Sequence, residues 1–198
     1  MLVIAMETGS ASDGRMRWAG RRHDDDRSDA SSGASSAELF DAVFHALHDG
    51  EQVALGFDCP LTSPLSRDQG AAAGHADADA LAKLAESAST RPGIAELGYV
   101  LGELGTWRPW TTVSTSLSRW KANTSILLWE AVPPEGSSGV AVDAAADSFF
   151  RQFRTATEDV AQAGPVVNLA AAAARRAGLF VDASELAQPT VSITVTGG

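Results

Sequence analysis

The chain has 198 residues, 44% of them hydrophobic, which is the length of one domain with enough apolar content for a core that needs no staples. Its 15 basic and 25 acidic side chains give a net charge of −10, which argues against a general nucleic-acid coat protein and against a binder of anionic membranes, since both need excess positive charge. A single cysteine, Cys59, excludes a disulfide framework and a cysteine-rich zinc site. No apolar run approaches the roughly 20 residues of a bilayer span. The opening MLVIAMETGS has neither the basic leader nor the apolar length of a secretory signal, so the expectation is a soluble, cytoplasmic, single-domain protein over 1–198.

In chain order, residues 2–6 form a short apolar run that ends at Glu7-Thr8-Gly9-Ser10, a strand entering a turn. Residues 15–19 alternate polar and apolar, which predicts a second strand paired with the first. Residues 20–35 are almost free of apolar side chains and read as a polar, mobile loop, with Asp24-Asp25-Asp26 as solvated carboxylates. Ser35 and Glu38 fit a capping box, and the helix they open runs to Asp49 with Gly50 as its stop. Leu39, Val43, Ala46 and Leu47 face its core side. Glu38, Asp41, His45 and His48 share another stripe, read as the wet face, since His45 and His48 have no identifiable partner ligand for a metal.

Residues 52–58 read as a buried strand stopped at Cys59-Pro60. A weak helix is predicted over 77–87 and a stronger one from Pro92 to Gly105. Residues 125–132 form the strongest strand pattern, ended by Pro133-Pro134. Helices over 140–160 and 165–177 and a strand over 190–195 complete the order. Strands alternating with helices predict an α/β layer structure with a mixed sheet, in which 2–6, 53–58 and 125–131 are neighbours.

No phosphate-cradling glycine loop, zinc-protease helix or serine nucleophile elbow is present. Cys59 follows Asp58, and a neighbouring carboxylate disfavours a thiolate. Three acids remain at strand ends: Glu7, Asp58 and Glu130. In α/β sheets, sites gather outside the carboxyl ends of the strands, and converging carboxylates suit Mg²⁺, which activates water for phosphodiester cleavage. Acids also sit at strand ends simply to reach solvent.

The segment Val53-Ala54-Leu55-Gly56-Phe57-Asp58-Cys59-Pro60-Leu61 resembles the "IAIDAPLGLP" strand of the domain of unknown function 429 family, predicted nucleases with an RNase H-like fold. Leu128-Trp129-Glu130-Ala131-Val132-Pro133-Pro134 is similar to that family's second motif, a strand ending E-V-[HY]-P, and Val3-Ile4-Ala5-Met6-Glu7 takes the place of its first strand, with Glu7 where the family has aspartate. The resemblance implies an RNase H-like mixed sheet flanked by helices. It also implies Glu7, Asp58 and Glu130 as catalytic Mg²⁺ ligands, and a fourth acid from a later helix. Asp143 and Asp147 stand nearest that fourth position, though they also form an ordinary helix-face ladder with Arg151. Asn168 in the following helix is a neutral alternative.

Between 91 and 121, Arg91, Arg108, Arg119 and Lys121 interleave with Tyr99, Trp107, Trp110 and Trp120. Such a mixture suits stacking on nucleic-acid bases, and equally a core or a homodimer contact. The first expectation is therefore an Mg²⁺-dependent phosphodiester hydrolase acting on nucleic acid. Its rival is a non-catalytic RNase H-like protein that works through a protein interface, or that binds a nucleotide or other small ligand.

Overall fold

A computed structural model of the protein describes residues 1–8, 16–24, 27–66, 78–88, 93–137, 140–153 and 165–196. Its centre is a mixed seven-stranded sheet of β1 (Leu2–Met6), β2 (Trp18–Asp24), β3 (Arg27–Gly33), β4 (Val53–Phe57), β6 (Val113–Ser114), β7 (Ile126–Val132) and β9 (Val191–Thr194). The strand order is β3-β2-β1-β4-β7-β6, with β9 also paired with β7. A separate antiparallel pair joins β5 (Thr62–Pro64) to β8 (Val166–Asn168). The α-helices are α1 (Ser36–His48), α2 (Ala78–Ala88), α3 (Ile94–Trp107), α4 (Leu117–Asn123), α5 (Val142–Phe153) and α6 (Leu169–Arg176), with a 3₁₀ turn at Ala183–Ala187. The predicted α/β class, with helices flanking a mixed sheet in an RNase H-like layout, is the observed one.

β1, β4 and β7 are adjacent and parallel, in register Met6–Phe57–Glu130. They are apolar on both faces because both faces are covered. Ile4, Leu55 and Leu128 face a core shared with α1, α3 and α6, whereas Val3, Ala54 and Trp129 face one shared with α5. In the second core Phe149 packs on Trp129 at a ring separation of 5.1 Å, and Trp120 lies edge-on to Phe149 and Phe153. Gly56 makes room for the Trp129 indole: a Cβ there would lie 2.2 Å from Cζ2.

The helix that Ser35 opens forms as its cap predicts, with Glu38 N–H donating to Ser35 Oγ and the left-handed Gly50 following its end. Three expectations need correction. The polar stretch 20–35 is not a loop through its length: β2 and β3 build an antiparallel hairpin on the free edge of β1, from Trp18–Gly33 to Asp24–Arg27. Ladder hydrogen bonds hold this edge, so its strands need no apolar content. Asp25 and Asp26 lie outside the described residues. The predicted second strand pairs with β1 as expected but starts at Trp18. The helix expected from Pro165 begins only at Leu169, because Val166–Asn168 first pair with β5. Arg91, Pro92 and the stretch expected to carry helix from 154 to 160 are outside the described residues. No helix among the described residues is long and apolar enough to cross a membrane.

Candidate functional site

The carboxyl ends of β1 and β4 bring Glu7 and Asp58 side by side, one residue beyond the paired Met6 and Phe57. Asp58 Oδ1 accepts hydrogen bonds from both the backbone N–H and the hydroxyl of Thr8, which tie the two strand ends together. Its carboxyl is nevertheless pushed above the usual range, first by burial and then by the charges of Glu7 and Glu96. Glu7 is half-exposed and faces Arg17 at 3.7 Å. Glu96 enters from the first turn of α3, where an acid complements the helix dipole. Cys59 is buried beneath these groups, and burial together with Asp58, Glu130 and Glu96 pushes its thiol up to about 12, so it stays a neutral thiol.

Glu130 is one residue short of that level. Strand alternation places it on the face of Ile126 and Leu128, where Oε2 accepts the Leu61 N–H at 3.0 Å. Burial pushes its carboxyl up, and it is not among the charges that raise Asp58. It fixes the turn after β4, from Cys59 to Leu61. Asp147 pairs with Arg21 at 3.0 Å. Arg21 stands opposite Val3, four residues and therefore about 13 Å of strand before Glu7. Asp143 is exposed in the first turn of α5. Among the described residues, no three His, Cys, Asp or Glu side chains form a group that could hold a metal ion. The structure thus joins Glu7 with Asp58 and holds Glu130 and Asp147 on other partners.

A second polar centre lies at the β6 edge. Glu185 is 1% exposed, and its carboxylate accepts from the Thr115 N–H at 2.6 Å, the Thr115 hydroxyl at 2.7 Å and the Ser114 hydroxyl at 3.1 Å. Arg119 approaches it at 3.7 Å and pairs with Asp182 at 2.6 Å. Two Ser184 hydrogen bonds and then Arg119 hold the Asp182 carboxyl below its ordinary value. Asn168 extends the network: its amide donates to Thr115 Oγ1 and Gln188 O, and its oxygen accepts from Ala171 N–H and the Thr190 hydroxyl. It caps α6 with every hydrogen-bonding position used, which leaves nothing for a metal. A hollow of about 360 Å³ opens beside this network, lined by Thr112, Ser114, Arg119, Thr124, Phe180 and Asp182 among others. Sequence reading missed this centre, because Ser114 and Glu185 are 71 positions apart and carry no shared motif.

The aromatic segment divides. Trp120 is fully buried in the α5 core, while Trp107 and Trp110 are 67% and 83% exposed. His45 and His48 lie on the exposed face of α1. Comparison with known proteins finds no family model, no curated protein and no solved structure that matches this chain.

Proposed function

We propose that the protein is a metal-dependent phosphodiester hydrolase whose centre is the Glu7–Asp58 pair at the carboxyl ends of β1 and β4. One observation carries this reading. Asp58 is a partly buried carboxylate beside a second carboxylate, with Oδ1 fixed by Thr8 and no hydrogen-bond partner for Oδ2 among the described residues. Two like charges crowded in this way suit a divalent cation. Mg²⁺ takes hard oxygen ligands and is commonly held by only one or two carboxylates, its remaining positions going to water and substrate phosphate. Glu7 and Asp58 fit that requirement without Glu130, Asp143 or Asp147. The resemblance of the β4 segment to the domain of unknown function 429 family points the same way.

When bound, the ion would supply Lewis-acid activation of the phosphate and of water. In the reaction a water oxygen bonds to phosphorus, the ester P–O bond breaks, and the leaving oxygen takes a proton. The chain's contribution is placement. Thr8 sets the orientation of the Asp58 carboxyl, and the Leu61 N–H held by Glu130 sets the turn that follows it.

The test is calorimetric titration of Mg²⁺ and Mn²⁺ into the protein, together with cleavage of end-labelled single-stranded, duplex and hybrid oligonucleotides. Cation binding lost in Glu7→Gln and Asp58→Asn, with cleavage reduced at least about 100-fold, is the expected result. Wild-type cleavage by Asp58→Asn, or no cation binding at millimolar metal, refutes it. A second reading, a small-ligand binder without hydrolytic activity, is favoured by the hollow beside Glu185, whose volume falls in the usual range for ligand sites. Ligand-induced thermal shifts abolished by Arg119→Ala, with no response to Asp58→Asn, would select it.

A further inference from the structure

At the far end of α3 from the acids, three of the four exposed large hydrophobic side chains among the described residues stand on neighbouring segments. They are Trp107, Trp110 and Phe180, 67%, 83% and 65% exposed. Trp107 is the last residue of α3; the chain then reverses through Arg108 to Trp110. Phe180 joins them because its N–H donates to Thr111 O at 3.0 Å and its carbonyl accepts the Val113 N–H. Trp110 is the one non-glycine residue with positive φ among the described residues, at 75°, a strained conformation for a bulky side chain. That conformation holds an indole in water rather than in the core.

Arginines stand in the segments next to these rings, one of them, Arg175, donating to Val181 O at 3.2 Å beside Phe180. Arg108 follows Trp107 directly. Arg175 and Arg176 end α6, which lies against the end of α3 so tightly that a Cβ on Gly105 would sit 1.9 Å from Ala177 O. None of the three makes a salt bridge among the described residues, although six such pairs form elsewhere in the molecule. Two acids adjoin the rings: Glu103, whose carboxylate accepts the Trp107 indole N–H at 3.3 Å, and Asp182, which lines the same hollow as Phe180 and is paired with Arg119 at 2.6 Å. On a chain of net charge −10, this corner is locally basic.

We propose that this corner is a stacking platform for single-stranded nucleic acid. Flat aromatic faces next to guanidinium groups match unpaired bases joined by phosphates, whereas a duplex hides its base faces. A symmetric contact between two copies fits worse, because a two-fold interface would gather Arg108, Arg175 and Arg176 of both copies, six like charges, into one seam. The proposal rests on the hydrolase reading and specifies its substrate. α3 starts beside Cys59 and Thr8 and is 14 residues long, so the platform stands about 20 Å from the acids, a span of several extended nucleotides.

The experiment measures binding apart from cleavage. Fluorescence polarisation with labelled (dT)20, (rU)20 and a 20-base-pair DNA duplex in EDTA reads the platform alone, since no divalent metal is present. Both single strands are expected to bind more tightly than the duplex. Trp107→Ala/Trp110→Ala should weaken them at least about tenfold with unchanged circular dichroism. Arg175→Ala/Arg176→Ala should lower the slope of log affinity against log salt by about 1.4 between 0.05 and 0.3 M. A preference of one single strand over the other assigns the sugar. No binding of either single strand at 0.05 M salt, equal binding of the duplex, or affinity unchanged in the tryptophan variant overturns the proposal. So does concentration-dependent sedimentation abolished by Trp110→Ala without any oligonucleotide binding, which would assign the face to a second copy. Tryptophan-dependent binding without Mg²⁺-dependent cleavage leaves the platform standing and removes the hydrolase, while cleavage without such binding does the reverse.

Discussion

Gly56→Ala is the smallest substitution that should damage this fold. The added Cβ would lie 2.2, 2.3 and 2.6 Å from Cζ2, Cε2 and Cη2 of Trp129, whereas carbon atoms settle at about 3.5–4.0 Å, so about 1.3 Å of relief is needed. Neither side can easily supply it. Trp129 is fully buried and packed on Phe149, and Gly56 sits in β4 between the ladders to β1 and β7. The expected destabilisation is therefore at the upper end for overpacking, about 3 kcal/mol. For a chain of this size that lowers Tm by about 6–12 °C. Urea denaturation with calorimetry measures both. Trp129→Phe removes the clashing indole carbons, so Gly56→Ala should be much better tolerated in that background, with a coupling energy of about 2 kcal/mol. A Gly56→Ala shift under about 2 °C, or strict additivity in the double variant, would refute the packing account.

Asp58→Asn should raise stability at neutral pH, because the amide oxygen still accepts from Thr8 while the partly buried charge is removed. The native carboxyl of Asp58 is raised above its unfolded value, so the folded state binds the proton more tightly. Stability then falls as pH climbs from the ordinary carboxylate range through the folded value, and thermal melts of Asp58→Asn should show a shallower fall over that window. Glu185→Ala should cost about 3–5 kcal/mol in urea unfolding by leaving the Thr115 N–H and the two hydroxyls without their buried acceptor, with Glu185→Gln milder. Trp120→Ala should cost about 3–5 kcal/mol, whereas the exposed Trp110→Ala stays within about 0.5 kcal/mol; equal effects would contradict their observed burial.

The parts of the fold that were legible are those in which local pattern and tertiary role agree. The apolar runs at Val53–Phe57 and Ile126–Val132 became buried parallel strands, and Ser35 capped α1. The parts that were not legible depend on distant partners. β3 carries Arg-Ser-Asp-Ala-Ser-Ser-Gly, and only pairing with β2 makes it a strand. Val166–Asn168 read as the first turn of a helix until β5, about 100 residues earlier in the chain, claimed them. At the site, the strand ends of Glu7 and Asp58 are visible in the sequence, and so is a pattern that separates Glu130 from them. Glu130 shares the parity of Ile126 and Leu128, which already assigned it to a strand face with an apolar lining rather than to the same row as Asp58. Nothing local distinguishes Trp120 from Trp107 and Trp110, since burial followed from where α4 and α5 met.

A polyanion-binding corner on so acidic a chain is consistent only if the remaining charge is far enough away to be screened. At 0.15 M ionic strength the Debye length is about 8 Å, so Glu7 and Asp58, about 20 Å away at the other end of α3, are more than two screening lengths distant, and the nearer Glu103 and Asp182 are held by the Trp107 indole and by Arg119. In the proposed complex Arg108, Arg175 and Arg176 would act at contact distance and lose little to the same screening. At 0.01 M the Debye length is about 30 Å, and the whole negative molecule then repels the strand that the corner attracts. Affinity for a single-stranded oligonucleotide should therefore pass through a maximum as salt is lowered, instead of rising without limit as it does for a uniformly basic protein. Polarisation titrations of (dT)20 between 0.3 and 0.005 M salt measure this directly. Replacing Glu135, an exposed acid beyond the carboxyl end of β7, by glutamine should move the maximum to lower salt and leave the affinity at 0.15 M nearly unchanged. A monotonic rise down to 0.005 M would mean that the strand does not feel the rest of the chain, and would place the bound phosphates outside the field of the acidic surface.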